Sequence, residues 1–283
     1  MNTAAITLPE PASPLRCISR EPGGLSHRSR TLPEETPVAF VYQGTGEAVM
    51  LATPADLEDF AVGFSFTEGL IQSMSDIREL DVLAGVLGIE LRLWLTEARA
   101  AAHRLRARHR AGPTGCGLCG VESLADAARP VQPVAPGISL PAGRVGAAVA
   151  ALCARQALSH ETHATHAAGL YRPESGAIMV REDIGRHNAL DKLAGALLRA
   201  GVPAESGVLV ITSRVSVEMV QKAAAIGAPI LIAMSAPTAL AVRTAEAANM
   251  TLVAGARGSA FQVYTHPWRI EAPPCGADGI QTG

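Results

Sequence analysis

The chain has 283 residues, 48% of them hydrophobic, and a formal net charge of −2. That length and apolar content suffice for one large core or two ordinary ones. The near-neutral balance gives no electrostatic basis for bulk nucleic-acid or membrane binding.

In chain order, residues 1–30 carry Pro, Arg and Glu and lack an apolar core. They predict a disordered tail rather than a signal peptide, and with it a cytoplasmic protein. The runs 37–42 and 48–52 alternate around Gly44-Thr45-Gly46 and predict a hairpin. Thr53 and Pro54 then read as the cap and first position of a helix reaching about Leu70. Residues 81–95 predict strands broken at Gly85 and Gly88, completing a smaller N-terminal α+β domain over 31–128. The Pro-rich run 129–141 is the candidate linker. Beyond it come a helix at 142–159, strands at 167–171 and 176–181, a helix at 186–200 and a strand at 207–212. A helix at 215–226, strand 229–234, helix 237–248, strand 250–254 and a last strand near 261–265 follow. This alternation predicts an α/β layer sandwich over 142–270, with 271–283 as a flexible tail.

Between Lys222 and Arg243 lie twenty residues without a charge, long enough to suggest a membrane span. Gly227, Pro229 and Pro237 interrupt the run, so helix, buried strand and second helix is the better reading.

The densest chemistry is Thr-Gly-Cys-Gly-Leu-Cys-Gly at 114–120. Five cysteines without a secretory signal argue against a disulfide framework, and only Cys116 and Cys119 form a motif. Such a pair binds metal, cycles through a disulfide or carries sulfur. Arg99, Arg104, Arg106, Arg108 and Arg110 precede it and would favour the reactive thiolate, although a solvated helix face explains them equally well. A zinc site needs further ligands; His160, His163 and His166 form an H-x-x-H-x-x-H series, but no second Cys-x-x-Cys exists. The context is also wrong for a thioredoxin-like motif.

Three strand-to-helix turns form a second group. Asp183, Arg186 and His187 lie in the first, Ser213 and Arg214 in the second, and Ser235 in the third. Asp183 reads as an N-cap or as an acid/base partner of His187, and Ser235 as a cap. Turns beyond the carboxyl ends of sheet strands are where open α/β folds bind ligands, and helix N-termini with arginines suit phosphate. Gly255-Ala256-Arg257-Gly258-Ser259-Ala260 is a weaker candidate of the same kind, and neither a dinucleotide fingerprint nor a P-loop occurs.

Taken in order, T-G-C-G-L-C-G, E-D-I-G-R-H-N-A-L-D-K-L at 182–193, S-R-V-S-V-E-M-V-Q-K at 213–222, S-A-P-T at 235–238 and Y-T-H-P at 264–267 resemble the formate dehydrogenase accessory sulfurtransferase family, FdhD. The resemblance runs from about Glu34 to Arg269. It implies a C-terminal three-layer α/β domain similar to cytidine deaminase, and a homodimer. It implies a sulfur carrier that takes sulfur from a cysteine desulfurase as a persulfide on Cys116, with Cys119 as partner. The sulfur's destination would be the molybdenum bis(molybdopterin guanine dinucleotide) cofactor, bound as substrate and needed by formate dehydrogenase. By motif position, 255–260 corresponds to the cofactor-binding stretch. The sequence departs from the family at His163, Val217 and Ser259-Ala260. Two alternatives are a non-catalytic chaperone of that cofactor and a zinc-binding, deaminase-like hydrolase, although the H-x-E and P-C-x-x-C zinc signature is absent.

Overall fold

A computed structural model describes residues 7–108 and 131–271. The chain packs as two compact units, neither continuous in sequence. One comprises residues 1–130, 156–168 and 180–202, and the other 131–155, 169–179 and 203–283. The sequence-based boundary at 129–141 is therefore only the first crossing between them.

In the first unit, β3 (Thr36–Tyr42), β4 (Thr45–Ala52), β5 (Ile77–Gly85) and β6 (Gly88–Leu95) form a sheet in the order β4-β3-β6-β5. Val38, Phe40 and Tyr42 alternate inward on β3, as do Ile89, Leu91, Leu93 and Leu95 on β6. This period of two buries one face of the sheet. The β3–β4 hairpin turns at Gln43 and Gly44, both at positive φ (53° and 78°), one residue earlier than the sequence suggests. The two-residue turn of this hand matches the strands' twist. Helix α1 (Leu57–Thr67) covers the inner face, its Phe60 and Phe64 rings 5.0 and 4.2 Å from Phe40.

α1 begins later than predicted. Asp56, at φ 52°, precedes it, and buried Thr53 is not its cap: its N–H donates to Asp183 Oδ2 and its hydroxyl accepts from Ile184 N–H. The sequence predicts a disordered tail over residues 1–30, yet residues 12–33 form a two-stranded antiparallel ribbon of β1 (Ala12–Glu21) and β2 (Gly24–Pro33). Most of its side chains are exposed, so the sequence lacks the apolar alternation that marks a half-buried strand.

Helix α2 (Glu97–Arg108) follows β6. The predicted helix 142–159 is two helices, α3 (Gly143–Cys153) in the second unit and α4 (Ala157–Thr162) in the first. The N–H groups of Leu158 and Ser159 at the start of α4 donate to the Glu182 carboxylate, at 2.9 and 2.8 Å. Helix α5 (Arg186–Arg199) belongs to the first unit, not to the C-terminal domain, and crosses α1 at backbone contact. A Cβ on Gly63 would stand 1.7 Å from Asp191 O, and one on Gly195 would stand 1.9 Å from Asp59 O. Only glycine at both positions permits that approach.

The second unit contains parallel strands β10 (Val208–Ile211), β11 (Ile230–Ala233) and β12 (Thr251–Arg257), with β13 (Ala260–Val263) antiparallel beyond β12. The six-stranded order is β13-β12-β11-β10-β8-β9, where β8 (His166–Tyr171) and β9 (Ile178–Asp183) are divided between the units. Every residue of β10 and β11 is buried, as a parallel sheet covered by other elements requires. Helices α6 (Val217–Ile226) and α7 (Ala239–Ala247) alternate with the strands, and β7 (Leu140–Pro141) pairs with β14 (Ile270–Glu271). The charge-free run is thus helix, strand and helix. No helix among the described residues is long and apolar enough to cross a membrane.

Candidate functional site

In the second unit, three of the sequence-predicted segments form one connected edge. β10, β11 and β12 run parallel, so the segments 212–216, 234–238 and 255–260 all leave the same end of the sheet. Backbone hydrogen bonds join them: Met234 N–H to Ile211 O, Val215 N–H to Ala236 O, Thr238 N–H to Val215 O and Gly255 N–H to Ser235 O, at 3.0–3.2 Å. Arg214 and Arg257 are exposed along this edge, and α6 and α7 start from it. Cationic side chains and helix N-termini on one rim suit a phosphate-bearing ligand.

The individual roles differ from the sequence reading. Ser213 is buried, and its hydroxyl donates to Arg214 O at 3.1 Å. Thr238, not Ser235, caps α7 by accepting from Ala241 N–H. The stretch 255–260 is the end of β12, a turn and the start of β13, with Gly255 and Gly258 at φ 64° and 56°. A Cβ on Gly255 would meet Gln262 Oε1 at 2.4 Å. Ala256 is buried, while Arg257, Gly258, Ser259 and Ala260 are exposed.

In the first unit, the segment 183–188 is built around a buried ion pair. Asp183 and Lys192 are both inaccessible, with Nζ 2.7 Å from Oδ2. Asp183 also accepts from the N–H groups of Thr53 and Gly185 and from Asn188 Nδ2, while Lys192 donates to Thr53 O at 2.8 Å. Burial pushes the Lys192 ammonium below the usual lysine range, and Asp183 opposes that shift. Asp183 is therefore the anchor of the α5 start, and the N-cap position falls to Gly185. Arg186 is half-buried, with an Nε that has no hydrogen-bond partner among the described residues. His187, half-buried, follows it at the start of α5. Burial, and then the charge of Arg186, hold His166 below the ordinary imidazole value.

Cys116 and Cys119 lie outside the described residues. Of the arginines before them, Arg99 is paired with Asp76 and Arg104 with Glu97, both at 3.0 Å, so these two have carboxylate partners of their own. His160 and His163 are exposed and His166 is half-buried, so the spaced histidines have different surroundings.

Other motif residues serve packing that sequence spacing did not reveal. Thr265 Oγ1 accepts from Leu252 N–H and donates to Met250 O. Buried Arg269 donates to Pro136 O and Thr251 Oγ1. Only Lys192 and Lys222 among the 24 Lys and Arg residues are Lys, a bias that reads as base composition and so hides Lys192 as a signal.

The FdhD/NarQ family model matches residues 33–271. The chain is 53% identical over 242 residues to the sulfur carrier protein FdhD of Agrobacterium fabrum, covering 85% of this chain and 89% of that protein. It is 54% identical over 263 residues to that of Brucella abortus, covering 89% and 97%. Among solved structures it is similar to a protein of Desulfotalea psychrophila described as a formate dehydrogenase accessory protein. That TM-score is 0.72 at 25% identity, over 92% of this chain and 99% of the other.

Proposed function

The chain belongs to the FdhD/NarQ family, and on that premise we propose that it is a sulfurtransferase carrying sulfur on Cys116 for the maturation of formate dehydrogenase. The supporting observation is the identity of more than half over most of the chain with proteins named sulfur carriers, in a sequence that carries the two thiols of T-G-C-G-L-C-G. The Cys116 thiolate attacks the outer sulfur of a persulfide on a cysteine desulfurase. The desulfurase thiolate leaves, and Cys116 holds the persulfide with no net oxidation or reduction. The outer sulfur then passes to the substrate, the molybdenum bis(molybdopterin guanine dinucleotide) cofactor, at the sulfide level; an external thiol reductant supplies the two electrons and leaves as its disulfide, and the Cys116 thiolate returns. Cys119 is the neighbouring thiol of this relay.

The substrate carries two pyrophosphates. Exposed Arg214 and Arg257, on the edge from which α6 and α7 start, fit such a polyanion. Arg186, half-buried with an Nε that has no acceptor among the described residues, is a separate candidate contact for an anion. As the resemblance implies, the working protein is a cytoplasmic homodimer.

Intact mass after incubation with a cysteine desulfurase and cysteine tests the reading. One added sulfur on the wild type, absent from Cys116→Ala, is the expected result. Equal loading of Cys116→Ala overturns the assignment to that residue.

A further inference from the structure

Helix α2 leads towards the cysteines: Arg108 is its last residue, and Cys116 follows eight residues later. Eight residues of chain reach at most about 29 Å, so the placement of α2 limits where Cys116 can lie. Yet α2 has little apolar hold on its unit. Among residues 97–105, whose burial is described, only Ala100 and His103 are buried.

Among the described residues, two polar posts hold it instead. Arg99 and His103 are four residues apart and share a face of the helix. Arg99 Nε donates to Asp76 at 3.0 Å, and that carboxylate also accepts from the N–H groups of Gln72 and Ser73. His103 Nε2 lies 2.9 Å from Glu47 Oε2, with the two side chains 7% and 11% exposed. The His103 ring packs against Tyr42, 5.2 Å between centroids. Glu47 lies on β4 and Asp76 immediately precedes β5, the two edge strands of the order β4-β3-β6-β5. The helix is thus fastened to both edges of one sheet, and the more buried fastening is His103–Glu47.

We propose that His103 and Glu47 are positioning residues for sulfur transfer: their pair fixes the helix from which the cysteine segment departs. The inference rests on the sulfur-carrier reading. A largely buried pair sets an angle more firmly than an exposed one, because water competes less for its partners. A partner the size of a desulfurase must meet Cys116 in one orientation, whereas a small reagent meets it in any.

The test uses the full chain as Glu47→Ala, Glu47→Gln and His103→Phe, the last keeping ring volume against Tyr42 while losing the hydrogen bond. Two rates are measured: sulfur loading of Cys116 by a cysteine desulfurase with cysteine, and alkylation of Cys116 by iodoacetamide. Glu47→Ala and His103→Phe are expected to load about tenfold more slowly, with alkylation within about twofold of wild type. Glu47→Gln, whose amide oxygen still accepts from the imidazole, is expected to restore loading to within about twofold of wild type. Wild-type loading rates in both disrupting variants overturn the proposal, as does alkylation that falls in step with loading. A wild type that gains no sulfur overturns the carrier reading itself, and positioning falls with it.

Discussion

At the scale of single residues, the first unit depends on a charge pair that water does not reach. Replacing Lys192 with Met leaves Asp183 buried without its cation, although Thr53, Gly185 and Asn188 still donate to it. Urea unfolding should show a loss of about 3–5 kcal/mol, the usual cost of breaking a buried pair from one side. His166 supplies the pH dependence. Its folded value is depressed, chiefly by burial, below the ordinary 6.5. The unfolded chain therefore binds the proton first as pH falls. Stability is full above about pH 6.5 and declines below it, through the folded value. The melting temperature should drop between about pH 7.5 and about pH 5.5, and drop less in His166→Gln. Asp183 shows the limit of reading a motif by residue type. An acid four residues before a histidine suggests acid/base chemistry, and only the fold reveals Lys192, nine positions on, as its buried partner.

At the scale of elements, the regular alternation after residue 165 was legible because buried parallel strands and Gly- or Pro-bounded helices leave strong periodic signals. What escaped the sequence came from distant partners. The restart of α4 is set by the Glu182 carboxylate, more than twenty residues away, and nothing local in 142–159 marks the break. Thr53 and Pro54 look like a helix start, but the buried Thr53 hydroxyl accepts from Ile184 instead. The α1–α5 crossing likewise leaves only two glycines in the sequence, unremarkable among 27. Gly63→Ala and Gly195→Ala should each cost about 3 kcal/mol or more, because the new methyl meets backbone rather than a yielding side chain. Gly143→Ala is the control. Beyond its own helical turn no atom lies within 4 Å of its Cβ position, so its thermal midpoint should hold or rise slightly.

At the scale of the whole molecule, the proposed carrier and receptor roles fall on different stretches of chain, and mutation should separate them. An Arg214→Ala/Arg257→Ala variant should load sulfur on Cys116 at the wild-type rate. In cells lacking the native protein it should restore formate dehydrogenase activity about tenfold less well or worse. Loss of loading in that variant would mean that the arginines serve the first step instead. Two of the three polar turns legible in the sequence, those after β10 and β11, lie on the edge bearing these arginines, whereas the third, 183–188, belongs to the first unit. Their individual roles were not legible, since Ser213 turns inward and Thr238 takes the cap expected of Ser235.

The weaving of the chain between its units also bears on how the protein is made. Helix α1 leaves the ribosome well over a hundred residues before α5 is complete, a delay on the order of ten seconds. Throughout that interval the Gly63 surface and the aromatic side chains around Phe60 lack the helix that α1 is shaped to receive. Newly made chains should therefore depend on holding factors during translation. Cutting at the Pro-rich run should give a fragment 1–130 that aggregates or binds hydrophobic dyes, and supplying 156–202 on the same polypeptide should relieve it. For this fold, the place where the sequence looks easiest to cut is not a boundary between things that fold alone.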